Sequence, residues 1–160
     1  KPIGKSWKVD ETYVRLNGKW AYLYRAVDKR GSTIDFLLRA KRDKATAHAF
    51  FEKAIFNNRF PSKVTIDKSG ANLAGITAIN KVLPKEKKIL IRQIKYLKNI
   101  VEQDHRFIKK RIRPMMGFKN FHSAKRTLAG IEAIRMIQKG QILGTNKNFN
   151  AWNTFKMLMA

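Results

Sequence analysis

The chain has 160 residues and sets 35 Lys+Arg against 11 Asp+Glu, a formal charge of +24, with 44% hydrophobic residues. So apolar a composition excludes a disordered basic tail and suits one domain with a substantial core. The absence of cysteine excludes disulfides, thiolate catalysis and sulfur-ligated zinc, and no apolar run approaches the ~18 residues that span a membrane.

Residues 7–16 and 19–27 are rich in aromatic and β-branched side chains and flank Asn17-Gly18, a strong hairpin signal. A second turn, Asp28 to Ser32, leads into 33–39, giving three consecutive antiparallel strands. The period then becomes helical: after Asp43, a natural N-cap, apolar residues recur at Ala47, Phe50, Phe51, Ala54 and Ile55 until Asn57-Asn58 and Pro61. A short strand is expected at 63–67, a helix at 71–83 before Pro84, and a fifth strand at 88–94. Helices are expected at 99–113, stopped by Pro114, and at 119–139, closed by Gly140. Trp7 and Trp20 read as strand core. The order βββ-α-β-α-β-α-α implies an α/β domain over 1–140, a five-stranded mixed sheet with helices on both faces. The Asn-rich tail 141–160, with Trp152 and Phe155, carries no clear pattern. A chain opening on Lys1 is expected to be a fragment.

So dense a positive field calls for a polyanion, and nucleic acid is the natural partner. The acids then become the informative residues, because each one placed in a polyanion-binding groove opposes affinity. Asp10 interrupts the first strand, where carboxylates are disfavoured. Period two places Asp10 with Thr12 and Val14 on one face and Glu11 with Val9 and Tyr13 on the other, so the two acids cannot share a site. Glu11 is better read as a partner for a nearby Lys or Arg. Asp67 ends a strand, where ligands gather in open α/β sheets. Glu102 lies early in a helix, with Arg106, Lys109 and Arg113 following it on one face. His105 falls instead on the core stripe of Val101, Ile108 and Ile112. Carboxylates converging without sulfur or imidazole select hard ions, Mg²⁺ or Mn²⁺, and two such ions suit in-line phosphoryl displacement. The run Lys109-Lys110-Arg111-Ile112-Arg113 suits a phosphate backbone, as Asn99 and Gln103 also could. Phe118 and Phe121 fit core anchors better than base-stacking platforms.

These residues resemble a known family. Asp10 in strand one, Asp67 after strand four and Glu102 on a later helix, with 34 residues between the last two, resemble the ribonuclease H-like core of DDE transposases and retroviral-type integrases. The strings WKVDETYVRLNGKWAYLYRAVDKRGSTIDFLL, TIDKSGAN, IRQIKYLKNIVEQDHRFIKKRIRPMMGFKNF and SAKRTLAGIEAIRMIQKGQ resemble the insertion-sequence-six family of bacterial transposases over roughly residues 3–141. The resemblance implies that Asp10, Asp67 and Glu102 are catalytic and hold two Mg²⁺ or Mn²⁺ ions. It implies that Lys109 contacts DNA near the cut, and Arg106, Lys110 and Arg113 join it as candidate DNA-binding residues. It further implies 3′-end cleavage and strand transfer into target DNA, by a homodimer or higher oligomer on the DNA and with no membrane partner. A cytoplasmic protein acting at the nucleoid is expected. The resemblance also implies an N-terminal helix-turn-helix region, expected to be absent here, so recognition of element ends is not assigned to this chain. The alternatives are a ribonuclease H-type nuclease and an inactive DNA-binding remnant.

Overall fold

A computed structural model describes residues 3–68, 70–95 and 100–142, apart from the Ile100 side chain. The elements run β1 (Ser6–Leu16), β2 (Lys19–Asp28), β3 (Thr33–Arg39), α1 (Lys44–Asn57), β4 (Lys63–Ile66), α2 (Gly70–Val82), β5 (Leu90–Gln93), α3 (Ile100–Ile112) and α4 (Phe121–Gln138). Short 3-10 turns precede β5 and follow α3. This is the element order expected from the sequence. Asn99, Trp152 and Phe155 lie outside the described residues.

Local chemistry accounts for the boundaries. Asn17 and Gly18 adopt φ of 46° and 74°, the left-handed pair that a tight hairpin needs. The Asp28 carboxylate accepts from the backbone N–H groups of Arg30 (2.8 Å), Ser32 (2.9 Å) and Gly4 (3.0 Å), which fixes the β2–β3 turn. Asp43 caps α1 by accepting from the Thr46 N–H at 2.8 Å. The fifth strand starts later than expected, because the Asn80 side chain takes both backbone groups of Ile89, each at 2.8 Å. Likewise α3 ends at Ile112, and Arg113 belongs to the turn that Pro114 forces.

The sheet order is β3-β2-β1-β4-β5, with β1–β2 and β2–β3 antiparallel and β1–β4 and β4–β5 parallel. One face buries Trp7, Val9, Tyr24 and Ile66 under Phe50 and Phe51 of α1 and Ile76 of α2. The other buries Val14, Leu23 and Leu38 under Ile108 of α3 and Leu128 of α4, and Phe118 joins it. Each fully buried large side chain contributes about 1.5–3 kcal/mol, so these two layers hold the sheet between its helices.

Trp20 departs from expectation: it is 56% exposed. Its cross-strand partner is Arg15, near the hairpin tip, and the residues packed under α1 lie further down the same face. Trp7, by contrast, is core as expected.

Candidate active site

Strand alternation assigns the acids of β1 to opposite sides. Asp10 pairs across the sheet with Arg25 and faces α3, where the His105 Nδ1 stands 3.8 Å from its Oδ2. Glu11 faces α2, where the Asn72 amide donates to its Oε2 at 2.8 Å. The β1–β4 ladder pairs Lys8 with Thr65, so two residues further along each strand Asp10 and Asp67 reach the same level of the sheet. Asp67 stands just past the carboxyl end of β4, and Asp10 lies in the middle of β1, just beyond the stretch that pairs with β4.

Asp67 leans toward the Glu11 side. Arg42, from the β3–α1 connection, forms an ion pair with Glu11 and places its Nη2 3.6 Å from the Asp67 carboxylate. The Asn72 amide lies 3.5 Å from Asp67 Oδ1. Arg42 and Asn72 therefore span Glu11 and Asp67, and the cationic partner expected for Glu11 is Arg42.

The carboxylates are electrostatically crowded. Burial pushes the Asp10 carboxyl up to about 7, helped by the charges of Glu11 and Asp67 and opposed by the Glu11 backbone N–H, which donates to Asp10 at 3.0 Å. Burial also raises Glu11, offset by its bonds to Asn72 and Arg42. On the opposite wall, burial lowers the His105 imidazole to about 3, with Arg25 and Lys109 adding repulsion. The ring is therefore neutral, and its Nε2 is buried without a hydrogen-bond partner. This matches the packed helix histidine expected from its stripe.

Glu102 stands apart. It sits in the first turn of α3, three residues before His105, but its side chain is turned outward to Arg106 at 3.0 Å. Among the described residues no group of three Asp, Glu or His side chains stands close enough to hold a metal ion. Asp10 thus feels the charge of Asp67 across adjacent strands, and Glu102 stays on the adjoining helix. Two carboxylates from adjacent strands suit a hard divalent cation, which would offset the burial and the repulsion that raise Asp10.

Of the candidate DNA-binding residues, Lys109 and Arg113 line a groove beside the β1–β2 hairpin, while Arg106 and Lys110 are exposed on α3. Gln103 is exposed beside them.

Sequence reasoning missed a buried polar cluster behind this site: Arg25 of β2 with Asp104 of α3, Glu132 and Arg135 of α4, and Lys139. The signal was present. Asp104 falls between Val101 and Ile108 on the core stripe of α3, and Glu132 follows Ala124 and Leu128 at helical spacing, so acids occupy core positions of a basic protein.

Comparison with known proteins places this geometry in context. The model of a family described as DDE domain matches residues 4–141. The chain is 40% identical over 133 residues to the transposase for insertion sequence-like element IS431mec of Staphylococcus aureus. It is equally similar to the transposase for insertion sequence element IS257 in transposon Tn4003 of the same species. Each alignment covers 83% of this chain and 58% of the relative, so the chain spans less than two thirds of their length. Among solved structures, the HTLV-2 integrase catalytic core domain in complex with magnesium superposes with a TM-score of 0.59 at 14% identity, covering 96% of this chain and 97% of that one. The BIV integrase catalytic core domain gives 0.55 at 11% identity, covering 98% and 96%. At such identities the likeness is one of fold, the ribonuclease H-like α/β architecture.

Proposed function

The chain belongs to the DDE domain family, among the insertion-sequence-six transposases, and from that premise we propose that it is the catalytic core of a DNA transposase, a polynucleotidyl transferase. The observation that carries this reading is the placement of Asp10 on β1 beside Asp67, just past the end of the parallel strand β4, with Glu102 on α3, the helix whose His105 stands 3.8 Å from Asp10. The sheet supplies two carboxylates from a rigid frame and the helix supplies the third.

Asp10, Asp67 and Glu102 would hold two Mg²⁺ or Mn²⁺ ions. Such ions, when bound, lower the pKa of an attacking water or 3′-hydroxyl and stabilise the leaving oxygen of an in-line displacement. The protein's own part is placement. Arg42 and Asn72 hold the Asp67 carboxylate from the Glu11 side. His105, neutral and buried, walls Asp10 off on the other side without adding charge. Glu102 joins by leaving Arg106, an exposed i,i+4 pair worth only about 0.3–0.5 kcal/mol, so the rotation costs little. Released from it, Arg106 would face phosphate with Lys109, Lys110 and Arg113, which position the backbone for cleavage at the 3′ end and for joining to target DNA. Two DNA ends call for two such sites, hence at least a dimer on DNA. Among the described residues no helix is long and apolar enough to cross a membrane.

The test is a strand-transfer assay with Mg²⁺ or Mn²⁺ on pre-cut donor ends, comparing the chain with Asp10→Ala and Glu102→Ala. Joined product from the unaltered chain alone is the expected result. Equal product from all three would overturn the assignment, and cleavage without joining would favour a nuclease.

A further inference from the structure

Beside the carboxylate site, the tip of the β1–β2 hairpin and the C-terminal end of α3 enclose a groove of about 860 Å³. That size is ordinary for a cleft that takes an organic ligand. Its floor is apolar, formed by Val14, Ile112 and Phe118, and its rim carries Arg15, Lys109 and Arg113. Among the described residues no Asp or Glu lines it. Two aromatic rings stand open on it: Trp20, 56% exposed, and Tyr13, 48% exposed. The Tyr13 ring meets Trp20 edge-on, with centroids 6.0 Å apart at 72°. The Arg15 guanidinium sits 5.1 Å from the Trp20 ring centre.

The groove is rigid. The Phe118 N–H donates to the Arg15 carbonyl at 2.9 Å, and the Asn17 N–H donates to the Phe118 carbonyl at 2.6 Å. These bonds tie the segment after α3 to the hairpin. Gly117 has φ of +102°, and a Cβ there would stand 3.1 Å from the Arg15 side chain, so the wall closes where only glycine fits. An apolar floor with open aromatics does not suit the charged exterior of a duplex, which needs only cations. It suits unpaired bases, which offer flat π-faces while their phosphates meet the basic rim.

We propose that this groove binds an unpaired DNA strand, with a base stacked on Trp20 and the adjoining phosphates on Arg15, Lys109 and Arg113. This rests on DNA being the partner of the carboxylate site. Lys109 lies seven residues beyond Glu102, about 10 Å along the helix at 1.5 Å per residue, so a strand entering the groove lies within reach of that site. Trp20 contributes stacking and Lys109 registers the backbone between groove and site.

The experiment is fluorescence anisotropy of a labelled twelve-nucleotide oligothymidine and of a twelve-base-pair duplex, without divalent ions so that no chemistry intervenes. The full chain is compared with Trp20→Ala and Trp20→Phe, each checked by circular dichroism and thermal melting. Trp20→Ala is expected to weaken the single strand roughly 5- to 150-fold, the equivalent of about 1–3 kcal/mol per stacked base. Trp20→Phe is expected to recover part of that loss, with duplex affinity changed less than about 2-fold by either substitution. Equal loss on single strand and duplex, or no loss on either, overturns the proposal while leaving the DNA reading intact. Failure of the unaltered chain to bind both DNAs overturns the DNA reading itself. A dimer that Trp20→Ala dissociates while single-strand affinity holds assigns the groove to a second copy and also overturns the proposal.

Discussion

Arg25 and Glu132, 107 positions apart, meet in a fully buried two-bonded ion pair, with Nε 2.6 Å and Nη2 2.9 Å from the carboxylate oxygens. The same guanidinium places Nη2 3.4 Å from Asp104 on α3, and Asp104 also accepts from Arg135 at 3.3 Å and from Lys139. A strand and two helices are thus joined through one side chain. Arg25 pairs across the sheet with Asp10, and Asp104 neighbours His105, so the cluster sets how α3 sits over the first carboxylate.

Removing one partner of a buried pair strands the other charge, at a cost of about 3–5 kcal/mol. Glu132→Gln and Arg25→Met should each lower stability in urea unfolding by roughly that amount. The double variant should cost clearly less than the sum, because no orphaned charge remains between the two. An additive double variant would show that the two side chains act independently.

Helices α1 and α2 pack still more closely. An added Cβ at Gly75 would stand 2.8 Å from the Ala47 Cβ and 2.9 Å from the backbone of Ala47 and His48, so α1 and α2 touch through their main chains. Gly75→Ala should destabilise by about 1–3 kcal/mol through overpacking. Gly130, exposed in α4 with nothing within 4 Å, is the control: Gly130→Ala should stabilise by about 0.5–1 kcal/mol. Thermal melting of both variants gives the two signs.

What could be read from the residues divides along physical lines. The Asn17-Gly18 hairpin, the Asp43 cap and the stop at Pro114 are set by neighbours in sequence, and each stands where local chemistry puts it. The opposite facing of Asp10 and Glu11 followed from period two. The environment of Trp20 did not, because aromatic content says nothing of where α1 stops covering the sheet. The partners Arg42 and Asn72 were equally hidden, since they reach Glu11 from a connection and a helix that only the closed fold brings near. The place of Glu102 on α3 was legible but its rotamer was not: spacing puts it on the helix, and a neighbouring arginine decides where it points.

If Asp10 and Asp67 share a metal, the chain should bind cations whether or not it turns over DNA. Mg²⁺ or Mn²⁺ at a hundredfold excess over its dissociation constant should stabilise the chain by about 2.7 kcal/mol. For a domain of this size that is about 5–10 °C in melting temperature, reversed by chelation. Asp10→Asn should abolish most of that shift. It should leave the metal-free melting temperature unchanged or higher, because burial and two neighbouring acids already oppose the Asp10 charge. A metal-induced shift of the same size in Asp10→Asn would place the cation elsewhere.

Losing one metal-holding carboxylate removes several kcal/mol of transition-state stabilisation, and each 1.36 kcal/mol is tenfold in rate, so joined product should fall by about 10²–10³ in Asp67→Asn. Asp67 is only partly shielded, so the substitution should not unfold the chain, and circular dichroism checks this.

Glu102 gives the sharpest contrast, because its two readings agree on affinity and part on joined product. Without divalent ions an acid on a phosphate-binding face only repels. One unit charge about 4 Å from a phosphate is worth about 1 kcal/mol in water, so Glu102→Gln should raise duplex affinity by up to about 5-fold. With Mg²⁺ present the same substitution should remove strand transfer, because the third carboxylate is gone. Lys109→Ala supplies the reference for an ordinary phosphate contact, reducing the slope of log affinity against log salt by about 0.9. If Glu102 were only the partner of Arg106 on a solvated helix, Glu102→Gln would free that arginine, tighten DNA and leave the yield of joined product untouched. Tighter binding with lost product is the outcome that belongs to a metal ligand set among cations.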